Sequence, residues 1–199
     1  MKTAFRPAMA LFAILTIICG LLYPLTVTVI AHTLFTDKAE GSLVLRDGQP
    51  IGSLLIGQAF LSPKYFWGRP SATSPMPNNG ASSGGSNLGP TNPAQIDAVR
   101  MRIEALKRAD PGNIAPIPVD LVTASASGLD PEISIAAAYY QLERVARARN
   151  ATIEEIRGMI ARLGKARYLG FFGEPRVNVL ALNLALDRAF ARTGDADPR

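Results

Sequence analysis

The sequence predicts an α+β chain: one N-terminal transmembrane helix, then a single mixed α/β extracytoplasmic domain with a small sheet and about four helices. Three observations carry that expectation. Residues 8–35 are an apolar run of 28 with no Asp, Glu, Lys or Arg. The 164 residues from 36 to 199 alternate strand-like and helix-like patterns, with turn and cap residues between them. That length is usual for one domain with its own core.

As a helix, residues 8–35 would span about 42 Å, against roughly 30 Å of bilayer hydrocarbon. Gly20, Tyr23 and Pro24 lie inside the span, and Pro24 is expected to kink it by removing a backbone donor and crowding the carbonyl one turn back. The rival reading is a cleaved signal with a small-residue site near Val29 and Ala31, but the run exceeds a signal core of roughly 7–15 residues. Lys2 and Arg6 precede the span, so residues 1–7 are expected on the cytoplasmic side and residues 36–199 outside it.

The 21 basic and 16 acidic residues give a net charge of +5. Beyond the span the basic residues are scattered singly, without the aromatic interleaving of a base-stacking surface, and no nucleic-acid partner is expected. Cys19, the only cysteine, and His32, the only histidine, both fall in or at the edge of the span. Domain 36–199 therefore has no internal disulfide, no imidazole or thiol for nucleophilic catalysis, and no His/Cys zinc site.

Ser42–Arg46, Asp47-Gly48 and Ile51–Ile56 read as a β-hairpin, because Asp-Gly supplies the positive φ angles of a type I′ turn. Tyr65, Phe66 and Trp67 follow, beside Arg69. Three consecutive aromatics cannot all face one core, so at least one is expected on an outer surface. Residues 70–92 are rich in Gly, Ser, Asn and Pro and read as a long loop. Gly80–Ser86 superficially resembles a phosphate loop, but Ser86 stands where the lysine should be and no apolar strand precedes it.

Asn92 and Pro93 open a helix through about Ala109, with Ile96, Val99, Ile103 and Leu106 on its buried face. Leu121–Ala124 suggests a short strand, and Ser125, Ser127 and Gly128 a turn. Asp130 and Pro131 suggest the cap and first position of a helix running to about Arg149, with Glu132 in its first turn. An oxygen-rich ion site using Asp120, Ser125, Ser127 and Asp130 is the alternative for that stretch. Thr152 and Glu155 form a capping box ahead of a helix with Ile153, Ile156, Ile160 and Leu163 on one side, ended by Gly164. Tyr168–Asn178 is an aromatic, Gly-punctuated connection into Val179–Leu186, a helix apolar on nearly every side and so expected at the centre of the core. A polar, frayed tail is expected past Arg192.

Several stretches together carry a resemblance: Tyr23-Pro24-Leu25; Gly57-Gln58 ahead of Tyr65–Ala72; Ser83–Pro90; Asp120–Pro131; Arg144-Val-Ala-Arg147; and Gly173–Leu180. In this order, over nearly the full length, the chain resembles the C-subunit family of the Kdp-type potassium-transporting ATPases of bacteria. The resemblance implies a non-catalytic accessory subunit of an ATP-driven, high-affinity potassium uptake complex in the inner membrane. Its implied partners are a channel-like potassium-translocating subunit, a P-type ATPase subunit, a small membrane subunit and membrane lipid. It further implies a catalytic-chaperone role that raises the ATP affinity of the ATPase subunit, with no tightly bound cofactor and ATP acting through the partner. Tyr65, Phe66, Trp67, Arg69, Ser83, Gly84, Gly85, Ser86 and Asn87 are the candidate partner-contact residues. Two other classes stay open on sequence: a membrane-anchored hydrolase with a Ser-Lys pair using Lys64 or Lys165, and a membrane-tethered solute-binding or scaffold protein.

Overall fold

The computed structural model describes residues 2–190; the tail expected past Arg192 lies outside them. The chain divides into two compact units, one up to Ile51 and one from Gly52 onward.

The first unit opens with α1 (Lys2–Ile17), a π-helical turn (Ile18–Leu22) and α2 (Tyr23–Leu34). Ala4–Leu34 forms 31 residues of helix long and apolar enough to cross a membrane. The disturbance expected at Pro24 takes the form of that π turn. Proline has no N–H and its ring crowds the preceding turn, so widening the backbone just upstream accommodates it. The Tyr23 amide donates to the Ile18 carbonyl, five residues back. The Thr26 hydroxyl donates to Leu22 O at 2.7 Å, supplying a donor in the stretch where Pro24 has none. A short helix, α3 (Thr36–Ala39), follows.

The hairpin forms as expected, between β1 (Leu43–Arg46) and β2 (Gln49–Ser53). Asp47 at φ 52° and Gly48 at φ 76° supply the two positive angles its turn needs. The second strand starts two residues earlier than Ile51 and ends at Ser53.

In the second unit α4 (Pro93–Ala109) begins where the sequence places it, with Asn92 Oδ1 accepting from Ala94 N. Two expectations fail. Leu121–Ala124 is not a strand; Val119–Leu121 is a 3₁₀ turn. The helix expected from Pro131 begins at Ile135. Residues Glu132–Ser134 are instead β3, antiparallel to β4 (Arg176–Asn178), with Ile133 opposite Val177. Both of those side chains lie at the core. Pairing with a strand 44 residues away overrides the local cap-and-proline signal. Ser134 then caps α5 (Ile135–Arg149) by accepting from Ala137 N.

The capping box of Thr152 and Glu155 opens α6 (Ile153–Leu163). Asn178 caps α7 (Val179–Ala189), which supplies Leu182 and Leu186 to the core as its composition predicts. The core packs α5, α6 and α7 on the β3–β4 pair. Ala137, Ala138 and Val145 let α5 approach closely, and Ile156, Ile160 and Phe66 complete the centre. Two small sheets and four longer helices of the second unit make the described chain mixed α/β.

Candidate functional site

Within the first unit, Gly20 sits in the π turn, Tyr23 follows it directly, and Pro24 begins the second helical stretch. All three are exposed, and a side chain at Gly20 would meet only Thr16, at 4.0 Å.

In the second unit the aromatic stretch is a strap laid across α5 and α7. Phe66 is 0% exposed. Its amide donates to Asn183 Oδ1 at 2.8 Å, and its carbonyl accepts from Asn183 Nδ2 at 3.0 Å. The next peptide is held the same way by Gln141: Trp67 N donates to Oε1 at 2.8 Å and Nε2 donates to Trp67 O at 3.1 Å. Two buried carboxamides thus stand in for a neighbouring strand, which satisfies backbone groups that would otherwise be costly to bury.

Arginines secure the rest of the strap. Arg144 donates to Pro63 O, Tyr65 O and Gln141 Oε1, and its guanidinium lies 4.5 Å from the Trp67 ring centre. Burial, opposed by the nearby Asp110 carboxylate, lowers the Arg144 guanidinium to about 10. Arg149 donates to Lys64 O, pairs with Asp187 at 2.8 Å and lies under the Tyr65 ring. Of the three consecutive aromatics, then, Phe66 is core, and Tyr65 and Trp67 are half-buried against arginines. Sequence reasoning missed Gln141, Asn183 and the buried Arg144. The legible signal was a lone amide in an otherwise apolar helical run, as Asn183 is in α7.

Arg69 pairs with Asp130 at 3.0 Å. Asp130 also accepts from Glu132 N through Oδ1, while Asp120 accepts from Ser134 N at 2.7 Å and from its hydroxyl at 3.1 Å. The amides of Glu132 and Ser134 are therefore capped by carboxylates. Ser125 Oγ accepts from Gly128 N. Ser127 Oγ accepts from Leu129 N, so the four side chains considered for an ion site are each engaged with the chain itself. No group of three His, Cys, Asp or Glu side chains suited to a metal occurs among the described residues. Of the two lysines considered for a Ser-Lys pair, Lys165 donates to Glu132 at 2.9 Å and Lys64 lies over the Tyr65 ring.

Residues 70–92 are a built loop. Ser71 Oγ donates to Gly128 O and accepts from Asn78 N, and Thr73 Oγ1 donates to Met76 O and accepts from Asn79 N. Ser83 Oγ and Gly84 N both donate to Ser127 O. The backbones meet so closely that a Cβ on Gly85 would lie 2.9 Å from Ala126 O, and one on Gly128 would lie 2.5 Å from Thr73 Cγ2. Gly128 also holds φ +67°. Ser83, Ser86 and Asn87 remain exposed, with Gly84 and Gly85 half-buried beneath them.

Beside the loop runs a groove of about 850 Å³, lined by Arg69, Asp130, Glu132, Arg176, Tyr168 and Phe172 among others. Glu132, one of its lining residues, receives Lys165 and, at 2.6 Å, Arg176. Burial alone would raise its carboxyl, but these two cations outweigh burial and hold it below the usual glutamate range.

The described chain is thus a helix long and apolar enough to cross a membrane, followed by a small α+β unit whose buried polar side chains hold its own strap and loop. The family described as K+-transporting ATPase, c chain (KdpC) matches residues 5–188. Relatives named Potassium-transporting ATPase KdpC subunit include those of Janthinobacterium sp. (strain Marseille) and Herminiimonas arsenicoxydans. Each is 66% identical over 188 residues, 94% of this chain, and covers 100% and 99% of the relative respectively. That of Polaromonas naphthalenivorans (strain CJ2) is 61% identical over 187 residues, covering 94% of this chain and 95% of its own length. The chain belongs to the KdpC family.

Proposed function

We propose that this chain is the non-catalytic accessory subunit of an ATP-driven, high-affinity potassium uptake complex of the bacterial inner membrane. The observation that carries the reading is the family match over residues 5–188 of a chain with one apolar helix fit to cross a membrane. Its partners are a channel-like potassium-translocating subunit, a P-type ATPase subunit and a small membrane subunit. The chain spans the membrane once, with its amino terminus in the cytoplasm and the unit from Gly52 onward in the periplasm. Lys2 and Arg6 ahead of the apolar run support that orientation.

The partner-contact surface is the exposed part of the 70–92 loop, Ser83, Ser86 and Asn87, with Gly84 and Gly85 setting its backbone. Tyr65, Trp67 and Arg69 flank it, and Phe66 supports it from the core. The chaperone effect on ATP affinity is exerted through coupled conformational equilibria of the partners and not by direct nucleotide contact. The periplasmic placement proposed for the second unit supports this, because ATP is cytoplasmic.

Deleting the chain in a potassium-limited host tests the function. Growth should fail at low potassium and return with plasmid-borne chain. Protease added to spheroplasts should digest the second unit. Full protection in spheroplasts, with digestion only in inverted vesicles, would reverse the orientation.

A further inference from the structure

Between Arg157 and Arg176 the chain carries five basic residues, Arg157, Arg162, Lys165, Arg167 and Arg176, and one acidic residue, Glu174. Three of these cations are paired, Lys165 and Arg176 with Glu132 and Arg167 with Glu174, so the excess positive charge of the stretch rests on Arg157, Arg162 and the second cation on Glu132. At the middle of that stretch is an apolar turn. Tyr168, Leu169, Phe171 and Phe172 are between 56% and 68% exposed. Isolated exposed apolar residues are ordinary, but four in five consecutive positions form a patch.

The turn is closed on itself. Tyr168 N donates to Phe172 O at 2.8 Å and Phe172 N to Tyr168 O at 2.9 Å, while Gly170 N donates to Arg167 O and Phe171 N to Tyr168 O. Phe171 and Phe172 pack ring on ring, with centroids 4.2 Å apart. Four of the five amides are therefore satisfied inside the turn. A closed backbone offers no edge for strand addition, and pairing these amides lowers the cost of leaving water for the lipid interface.

We propose that the Tyr168–Phe172 turn is a second, peripheral membrane contact. Its aromatic and leucine side chains enter the lipid interface, and the excess basic charge of the surrounding stretch attracts anionic headgroups. Aromatic side chains favour the headgroup level, and an apolar face with basic surroundings binds most strongly to anionic surfaces. The occupant is a bilayer surface, favoured by the basic excess and within reach of the tether: 17 residues separate Leu34 from Gly52, at most about 60 Å when fully extended. The inference rests on the apolar helix anchoring the chain, but on neither its orientation nor its partners.

The test uses the full chain with single nitroxide labels, reconstituted into phosphatidylcholine vesicles with and without phosphatidylglycerol. A label on Cys19 reports the anchor. Labels on Cys19→Ser/Phe171→Cys and Cys19→Ser/Ile114→Cys report the turn and an aqueous control, since Ile114 is 99% exposed. With phosphatidylglycerol, the Phe171→Cys label should gain oxygen over nickel accessibility relative to the Ile114→Cys label, as expected about 5–10 Å into the interface. That gain should shrink in phosphatidylcholine alone. A Phe171→Cys label as aqueous as the Ile114→Cys label in both vesicles, with Cys19 buried in lipid, would overturn the proposal. So would protection that develops only when the other subunits are added, because the turn would then be a protein contact. An aqueous Cys19 label would instead indict the anchor.

Discussion

Asn183 and Phe66 exchange two hydrogen bonds in the core, 2.8 Å from the Phe66 amide and 3.0 Å to its carbonyl. Side chain and backbone are both buried there, so neither peptide group has water as an alternative. Replacing the amide with an apolar side chain of similar size orphans a donor and an acceptor. Asn183→Leu should cost at least about 2 kcal/mol, seen as a lowered urea midpoint at unchanged slope. A midpoint equal to wild type would show that the strap is held by packing alone.

Arg144 joins three acceptors that a lysine cannot reach together. Arg144→Lys should lose about 1.5–3 kcal/mol, the value of hydrogen bonds to a charged group. Trp67 is the only tryptophan, so its fluorescence reports the strap directly. Its emission should move to the red as the guanidinium leaves its ring. Unchanged emission with unchanged stability would mean that the arginine is not what seats Trp67.

Gly128 and Gly84 offer a matched contrast. Ala at Gly128 must hold φ +67° and intrude on Thr73 and Gly84 O, whereas a Cβ on Gly84 meets nothing within 4 Å. Gly128→Ala should destabilise by at least about 1–2 kcal/mol and speed hydrogen exchange in residues 71–84. Gly84→Ala should leave both near wild type. Equal behaviour of the two variants would show that the loop does not depend on its close approach to residues 125–128.

The fold was legible where the signal is local. Asp47-Gly48, Asn92-Pro93 and the Thr152–Glu155 box each specify their element through neighbouring residues. Asp130-Pro131 misled because a carboxylate that receives an amide two residues on serves a strand start as readily as a helix start; the partner strand at Arg176–Asn178 decides between them. The burial of Phe66 was illegible for the same reason, since it depends on the Asn183 amide 117 residues away, as the seating of Trp67 depends on the Gln141 amide 74 residues away. The 70–92 loop has the composition of a linker, and its contacts within itself and with residues 126–128 give it a defined path that composition does not reveal.

Glu132 makes acid stability specific. Its folded carboxyl is held below the unfolded value by Lys165 and Arg176. Such a group contributes stability that is fully present above its unfolded pKa, about 4.3, and is lost as pH falls through the folded value. The wild-type chain should therefore lose stability as pH drops below about 5. Glu132→Gln should start less stable at neutral pH and show a flatter decline over that range. Parallel curves would assign the acid sensitivity to other carboxylates.

Purification of the complex tests most directly whether the chain works as a subunit. Tagged chain should be purified in mild detergent from membranes of potassium-starved cells and its companions identified by mass. A channel-like potassium subunit and a P-type ATPase subunit should co-purify in fixed proportion. The preparation should hydrolyse ATP in response to potassium, while the chain alone should not. Recovery of the chain without either companion, from cells that take up potassium normally when it is deleted, would contradict the subunit role.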